Sequence, residues 1–134
     1  MALEDIQWKG VIHRDLKPSN IIVSNSGRGK VIGFGLATIL EGDQIKIDDG
    51  MLVGTLDYIA PEVLNGESYD YQADIWSAGA LFYECLAGLP PFASLESVRQ
   101  LQVDITKENI RKAQPSFNMP GVVFSVSYSN LGRS

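Results

Sequence analysis

The sequence predicts an α+β fold, mainly α-helical, with one small β-hairpin. Three observations predict it. Residues 73–87, ADIWSAGALFYECLA, are apolar almost all round a helical wheel, the pattern of a helix buried on most faces. Residues 95–110 repeat apolar side chains at Leu95, Val98, Leu101 and Ile105, the spacing of one helical stripe. Ile21-Ile22-Val23 and Lys30-Val31-Ile32 flank the turn-rich SNSGRG, which reads as two short strands and a six-residue connection.

Bulk properties set the frame. The chain has 134 residues, enough for one domain with a real core. It is 45% hydrophobic and 20% charged, ordinary for a soluble globular protein. The net charge of −5 argues against nucleic acid or an anionic membrane surface as partner. Cys85 is the single cysteine, so no intramolecular disulfide forms and the chain reads as intracellular and cytoplasmic. MALEDIQWKG is too charged for a signal peptide, and no apolar run spans a bilayer.

Residues 2–9 read as the end of a helix, with Leu3, Ile6 and Trp8 toward a core and Gly10 as its C-cap. Val11-Ile12 is a short apolar run, and RDLKPSN, broken by Pro18, is a loop. The hairpin follows. Residues 33–60 hold five glycines and no lasting period, so they form a long irregular segment of the kind that carries function. Gly88 ends the apolar helix and Pro90-Pro91 keeps it ended. Ser94 is a candidate N-cap for the next helix. Trp76 and Cys85 read as core residues. GVVFSVSYSNL, 121–131, alternates like an edge strand without a clear partner.

HRDLKPSN, 13–20, fits the catalytic-loop pattern H-R-D-L-x-x-x-N at every fixed position. GFG at 33–35, GTLDYIAPE at 54–62 and DIWSAG at 74–79 follow in order. By these four matches the chain resembles the C-terminal lobe of a protein kinase of the serine/threonine branch. The resemblance covers residues 1–110 as a partial kinase domain and leaves 111–134 as a divergent tail. It implies Mg²⁺ and ATP as cofactors and a protein substrate or protein partner.

The resemblance also implies roles, each with a plainer alternative. Asp15 would accept or orient a substrate hydroxyl proton, where a loop aspartate could simply cap a backbone group. Lys17 would place a cation near the transferred phosphate, or is a solvated lysine. Asn20 would offer Mg²⁺ a neutral oxygen, or hold the loop backbone, or both. Thr55 resembles the threonine that seats the substrate hydroxyl. Asp74 resembles the carboxylate that holds the catalytic-loop backbone, and buried it must be hydrogen-bonded. His13 is read as a packed core residue. Phe34 is expected to pack.

Arg14 would pair with a phosphorylated residue, yet no Ser, Thr or Tyr lies between Thr38 and Thr55. Asp43, Asp48 and Asp49 stand there instead. Two readings of Asp48-Asp49 remain: a fixed negative charge facing Arg14, or a solvated turn.

The main departure is Gly33, where the pattern D-F-G has its metal-binding aspartate. Glycine offers Mg²⁺ no side-chain oxygen, and the neutral Asn20 amide cannot replace the charge. The fold tolerates the change better than the chemistry does. No G-x-G-x-x-G loop and no V-A-I-K lysine occurs in the chain, so nucleotide binding by these residues alone is not expected. Arg111 and Arg133 carry no motif marking either as the partner the resemblance gives Glu62. Residues 111–134 do not resemble the two helices that the family packs on 73–87, so the faces those helices would cover are expected to stand exposed, favouring self-association, unless Val122, Val123, Phe124 and Val126 fold back over them. The expectation is a truncated serine/threonine kinase-like chain, catalytically impaired. The alternatives are part of an active kinase, a pseudokinase-like binding module, or a remnant without a role.

Overall fold

The computed structural model describes residues 2–94 and 99–112. In chain order, α1 (Ala2–Trp8) leads into β1 (Val11–Ile12). The hairpin β2 (Ile21–Val23) and β3 (Gly29–Val31) follows, then β4 (Thr38–Ile39), the short α2 (Pro61–Leu64), α3 (Gln72–Ala87) and α4 (Arg99–Lys112). The arrangement is α+β with helices dominant, as the sequence predicts. Single 3₁₀ turns at Pro18–Asn20, Phe34–Leu36 and Leu56–Tyr58 punctuate the loops.

Two antiparallel pairs hold the N-terminal half. β2 and β3 pair Ile21 with Val31 and Val23 with Gly29, so the connection narrows to residues 24–28, shorter than expected. Ser24 tightens it by accepting the Arg28 N–H on its hydroxyl at 3.1 Å. β1 pairs with β4, Val11 opposite Ile39 and Ile12 opposite Thr38. This second pair brings residues 38–39, expected to be irregular, back beside the start of the loop at 13–20. A two-residue strand is too short to show a period.

One core cluster fixes the rest. Ile12, Ile47, Ile59, Ala60, Val63, Tyr69 and Ala73 are buried together, with Leu40, Leu64 and Trp76 against them. A backbone bridge ties Ile47 to Tyr69 in both directions, at 2.7 and 2.9 Å. It anchors the otherwise irregular 41–54 stretch to the approach of α3. Trp76 stacks on Phe92, ring centroids 5.1 Å apart. α4 docks through buried Thr106 and Ile110. The Thr106 hydroxyl accepts the Ser94 N–H, and Asn109 donates to the Phe92 carbonyl.

Several expectations need correction. Trp8 is 89% exposed, because α1 turns Leu3, Ile6 and Gln7, not Trp8, partly inward. Cys85 is exposed, not core. It lies with Phe82 on the rim of an apolar cavity of about 420 Å³ between α1, the hairpin and α3. α3 is not buried on most faces: Ile75, Phe82 and Leu86 are exposed, and its buried side runs through Ala73, Asp74, Ser77, Ala80 and Leu81. The expected fold-back of Val122, Val123, Phe124 and Val126 over this helix falls outside the described residues. Leu95 and Val98, the capping role of Ser94, and the 121–131 strand fall on or depend on residues outside those described.

Candidate active site

Asp74 organises the site from below. It sits in the first turn of α3, 1% exposed, beneath the loop that follows β1. Its Oδ2 accepts the His13 N–H at 2.7 Å and its Oδ1 the Arg14 N–H at 3.0 Å. Burial pushes the Asp74 carboxyl above its ordinary pKa, and the two N–H bonds pull part of the way back. The bonds also hold Arg14 at φ +68°, a left-handed conformation that costs a non-glycine residue roughly 1–2 kcal/mol. Gly54 is tied to the same spot. At φ +105°, a Cβ there would stand 2.6 Å from the Arg14 carbonyl oxygen, so only glycine lets the two strands of backbone meet.

His13 is fully buried, and its tautomer follows from its partners. The Asp15 N–H donates to Nδ1 at 3.1 Å, so Nδ1 carries a lone pair. Nε2 then holds the proton and donates to the Ile32 carbonyl at 2.8 Å. The Phe34 ring meets the imidazole edge-on, centroids 4.8 Å apart. His13 thus joins the loop at 13–20 to the GFG turn through both ring nitrogens and the Phe34 contact.

Above this floor four side chains converge. Thr55 donates its hydroxyl hydrogen to Asp15 Oδ1 at 2.9 Å and accepts from Lys17 Nζ at 3.0 Å. Lys17 lies 3.7 Å from Asp15 Oδ2. Asn20 donates Nδ2–H to the Asp15 carbonyl at 2.8 Å and reaches Oδ2 at 3.4 Å. Residues 40 positions apart in sequence, Asp15 and Thr55, therefore share one hydrogen bond. A carboxylate flanked by an ammonium and a hydroxyl can orient an incoming hydroxyl and take its proton.

Arg14 turns its side chain away from this cluster. Nε donates to the Leu36 carbonyl at 2.6 Å, and one terminal nitrogen donates to Tyr69 Oη at 3.0 Å and meets Asp49 Oδ2 at 3.5 Å. Of the two readings for Asp48-Asp49, the ion pair is the one present, through Asp49. Tyr69 and the Leu36 carbonyl escaped sequence reading, since neither lies in a motif. Glu62 lines a groove of about 700 Å³ with Tyr71, Trp76, Tyr83 and Phe92. Trp76 Nε1 is buried there without an acceptor among the described residues.

The donors do not suit a divalent cation. Gly33 brings no side chain, and no group of three or more acidic, His or Cys residues that could hold a metal exists among the described residues. Mg²⁺ needs hard oxygen ligands anchored by one or two carboxylates. Here Asp15 is already engaged by Thr55 and Lys17, and Asn20, whose N–H goes to Asp15, keeps its oxygen on the Gly33 side as a single neutral donor.

Comparison with known proteins accounts for this constellation. A family model described as protein kinase domain matches residues 1–127. A RAC family serine/threonine-protein kinase homolog of Dictyostelium discoideum is 43% identical over 111 residues, covering 82% of this chain and 24% of its own. A serine/threonine-protein kinase of Arabidopsis thaliana, AtPK1/AtPK6, is 40% identical over 113 residues, 84% of this chain and 23% of its own. The 3-phosphoinositide-dependent protein kinase 1 of Rattus norvegicus is 34% identical over 119 residues, 84% of this chain and 21% of its own. The chain thus spans about a quarter or less of the length of these relatives. Asp15, Lys17 and Thr55 gathered over the Asp74 floor, and a family match over nearly the whole sequence, lead to one statement: the chain belongs to the protein kinase family.

Proposed function

We propose that these 134 residues form a serine/threonine kinase-like unit that seats a protein hydroxyl but transfers phosphate poorly or not at all. Asp15 is the proton acceptor in this reading. Thr55 marks where a serine or threonine hydroxyl would come to rest, and Lys17 is the cation that would face the transferred group. One observation carries the impairment: Gly33 supplies no carboxylate where the family pattern has its metal ligand. Removing a single preorganised charge-stabilising group costs about 10²–10³ in rate in well-studied enzymes. Losing the anionic anchor of the family's Mg²⁺ is expected to cost at least that.

The assembled Asp15–Thr55–Lys17 cluster favours a second reading, in which the same residues serve an active kinase of greater length. The exposed apolar face of α3 supports self-association or a protein partner in either case.

The test is transfer of labelled phosphate from Mg-ATP to serine- and threonine-containing peptides by the purified chain, beside its Asp15→Asn variant. The expected result is no incorporation above the variant. Incorporation that vanishes with Asp15→Asn would overturn the proposal. A thermal shift with Mg-ATP adds a binding readout, since saturation at a hundredfold over Kd stabilises by about 2.7 kcal/mol.

A further inference from the structure

Tyr69 is held from both ends. Its backbone N–H and C=O both pair with Ile47, at 2.9 and 2.7 Å. Its hydroxyl oxygen accepts a hydrogen bond from an Arg14 terminal nitrogen at 3.0 Å. The ring between these grips belongs to the core cluster and is 3% exposed. The two stretches of backbone that build the site therefore meet at this residue. Ile47 lies on the segment that continues to Gly54 and Thr55, and Arg14 directly precedes Asp15. Further along, the same two stretches touch again. Gly54 packs against the Arg14 carbonyl oxygen, and Thr55 donates to Asp15 Oδ1. The charged contact to Arg14 is the weaker one. Asp49 meets the same guanidinium at 3.5 Å with its carboxylate one-third exposed, where water and salt screen the pair. A neutral phenol in the core is not screened in that way.

We propose that Tyr69 is a positioning residue for Asp15 and Thr55. Its hydroxyl, more than the Asp49 charge, fixes the Arg14 side chain, while its backbone fixes Ile47. Together they set the register between the 41–54 segment and the loop at 13–20. The register then rests on a buried neutral contact and needs no added negative charge at Arg14. This deepens the reading above and rests on its assignment of Asp15 and Thr55. The test uses no nucleotide, so this proposal and that reading fail separately.

Tyr69→Phe keeps the ring and the Ile47 bridge and removes only the hydroxyl. NMR of the labelled 134-residue chain follows the Arg14 guanidinium protons and the backbone amides. In the unmodified chain a terminal N–H signal of Arg14 is expected to be resolved and protected from exchange. In Tyr69→Phe that signal should be lost, and the Gly54 and Thr55 amides should exchange at least about tenfold faster, the effect of losing a hydrogen bond to a charged group. The Ile47 amide should keep its rate. In Asp49→Ala the Arg14 signal should persist and the Gly54 and Thr55 amides should keep their rates. Unchanged Arg14, Gly54 and Thr55 signals in Tyr69→Phe would make Tyr69 a core ring only and overturn the proposal, as would loss of the Arg14 signal in Asp49→Ala. Should Tyr69→Phe not fold, a salt titration of the unmodified chain decides. At roughly 1 M NaCl, where the screening length is about 3 Å, the Arg14 signal should persist, and its loss would overturn the proposal.

Discussion

Replacing Asp74 with alanine tests the floor on which the whole site stands. The carboxylate takes two backbone N–H groups, from His13 at 2.7 Å and Arg14 at 3.0 Å, in a position 1% exposed. Alanine strands both donors. Each unsatisfied buried donor costs about 1–3 kcal/mol, and the recovered desolvation of the carboxylate offsets part of it. A net loss of about 2–4 kcal/mol is expected, a large share of the 5–15 kcal/mol typical of a domain. The effect reaches the chemistry, because Arg14 then loses the bond that holds φ at +68° and the next residue is Asp15. Urea unfolding measures the loss, and amide exchange at His13 and Arg14 locates it. A change below about 1 kcal/mol with both amides still protected would refute the argument, since two orphaned donors cannot be that cheap. The pH dependence has a definite sign. Burial raises the folded pKa of Asp74 above the ordinary 3.8, so the folded state holds the proton more tightly than the unfolded one. Stability therefore falls as pH rises from 3.8 through the raised folded value, and levels off above it. Asp57, pushed up by burial and then by Glu84, contributes in the same direction. Asp74→Asn should remove the Asp74 part of that slope.

Asp49→Ala should barely move Tm, because a pair at 3.5 Å with a one-third exposed carboxylate is worth about 0–1 kcal/mol. It should speed exchange at the Met51 amide, which Asp49 caps at 3.0 Å, and unchanged exchange there would sink the idea that Asp49 orders the segment. Trp76→Phe removes a buried N–H that has no acceptor among the described residues while keeping a ring on Phe92. Stability should stay within about 1 kcal/mol of the unmodified chain, against the roughly 3–5 kcal/mol of an aromatic-to-alanine change; a loss above about 2 kcal/mol would mean the indole is bonded in solution. Cys85 should react with a thiol reagent in the native state at close to its unfolded rate, and strong native protection would show that its face is covered.

Much of this was legible, and the residues show why. The loop at 13–20 could be found because phosphoryl-transfer chemistry dictates residue types at fixed spacing, and the structure gathers Asp15, Lys17, Asn20 and Thr55 within hydrogen-bond reach. The hairpin and α3 announce themselves through β-branched runs and an unbroken apolar stretch. What stayed hidden depends on pairing between distant parts of the chain. β4 is two residues long and exists because β1 lies opposite. Tyr69 reaches Arg14 from 55 positions away, and nothing local in the sequence marks it. Cys85 misled because an apolar stretch tells how hydrophobic a helix is, not how many of its faces have neighbours.

Fold and chemistry place different demands on the same turn. The packing that holds the loop at 13–20 runs through Asp74, the His13 ring, Phe34 and the Gly54 contact, and none of these touches position 33 through a side chain. An aspartate there would serve only a ligand. Without that ligand it would sit at φ +77° beside Asn20, costing strain and a steric clash. Glycine avoids both costs. The Asp15–Thr55–Lys17 geometry is held by bonds among its own side chains, so its presence does not by itself report turnover.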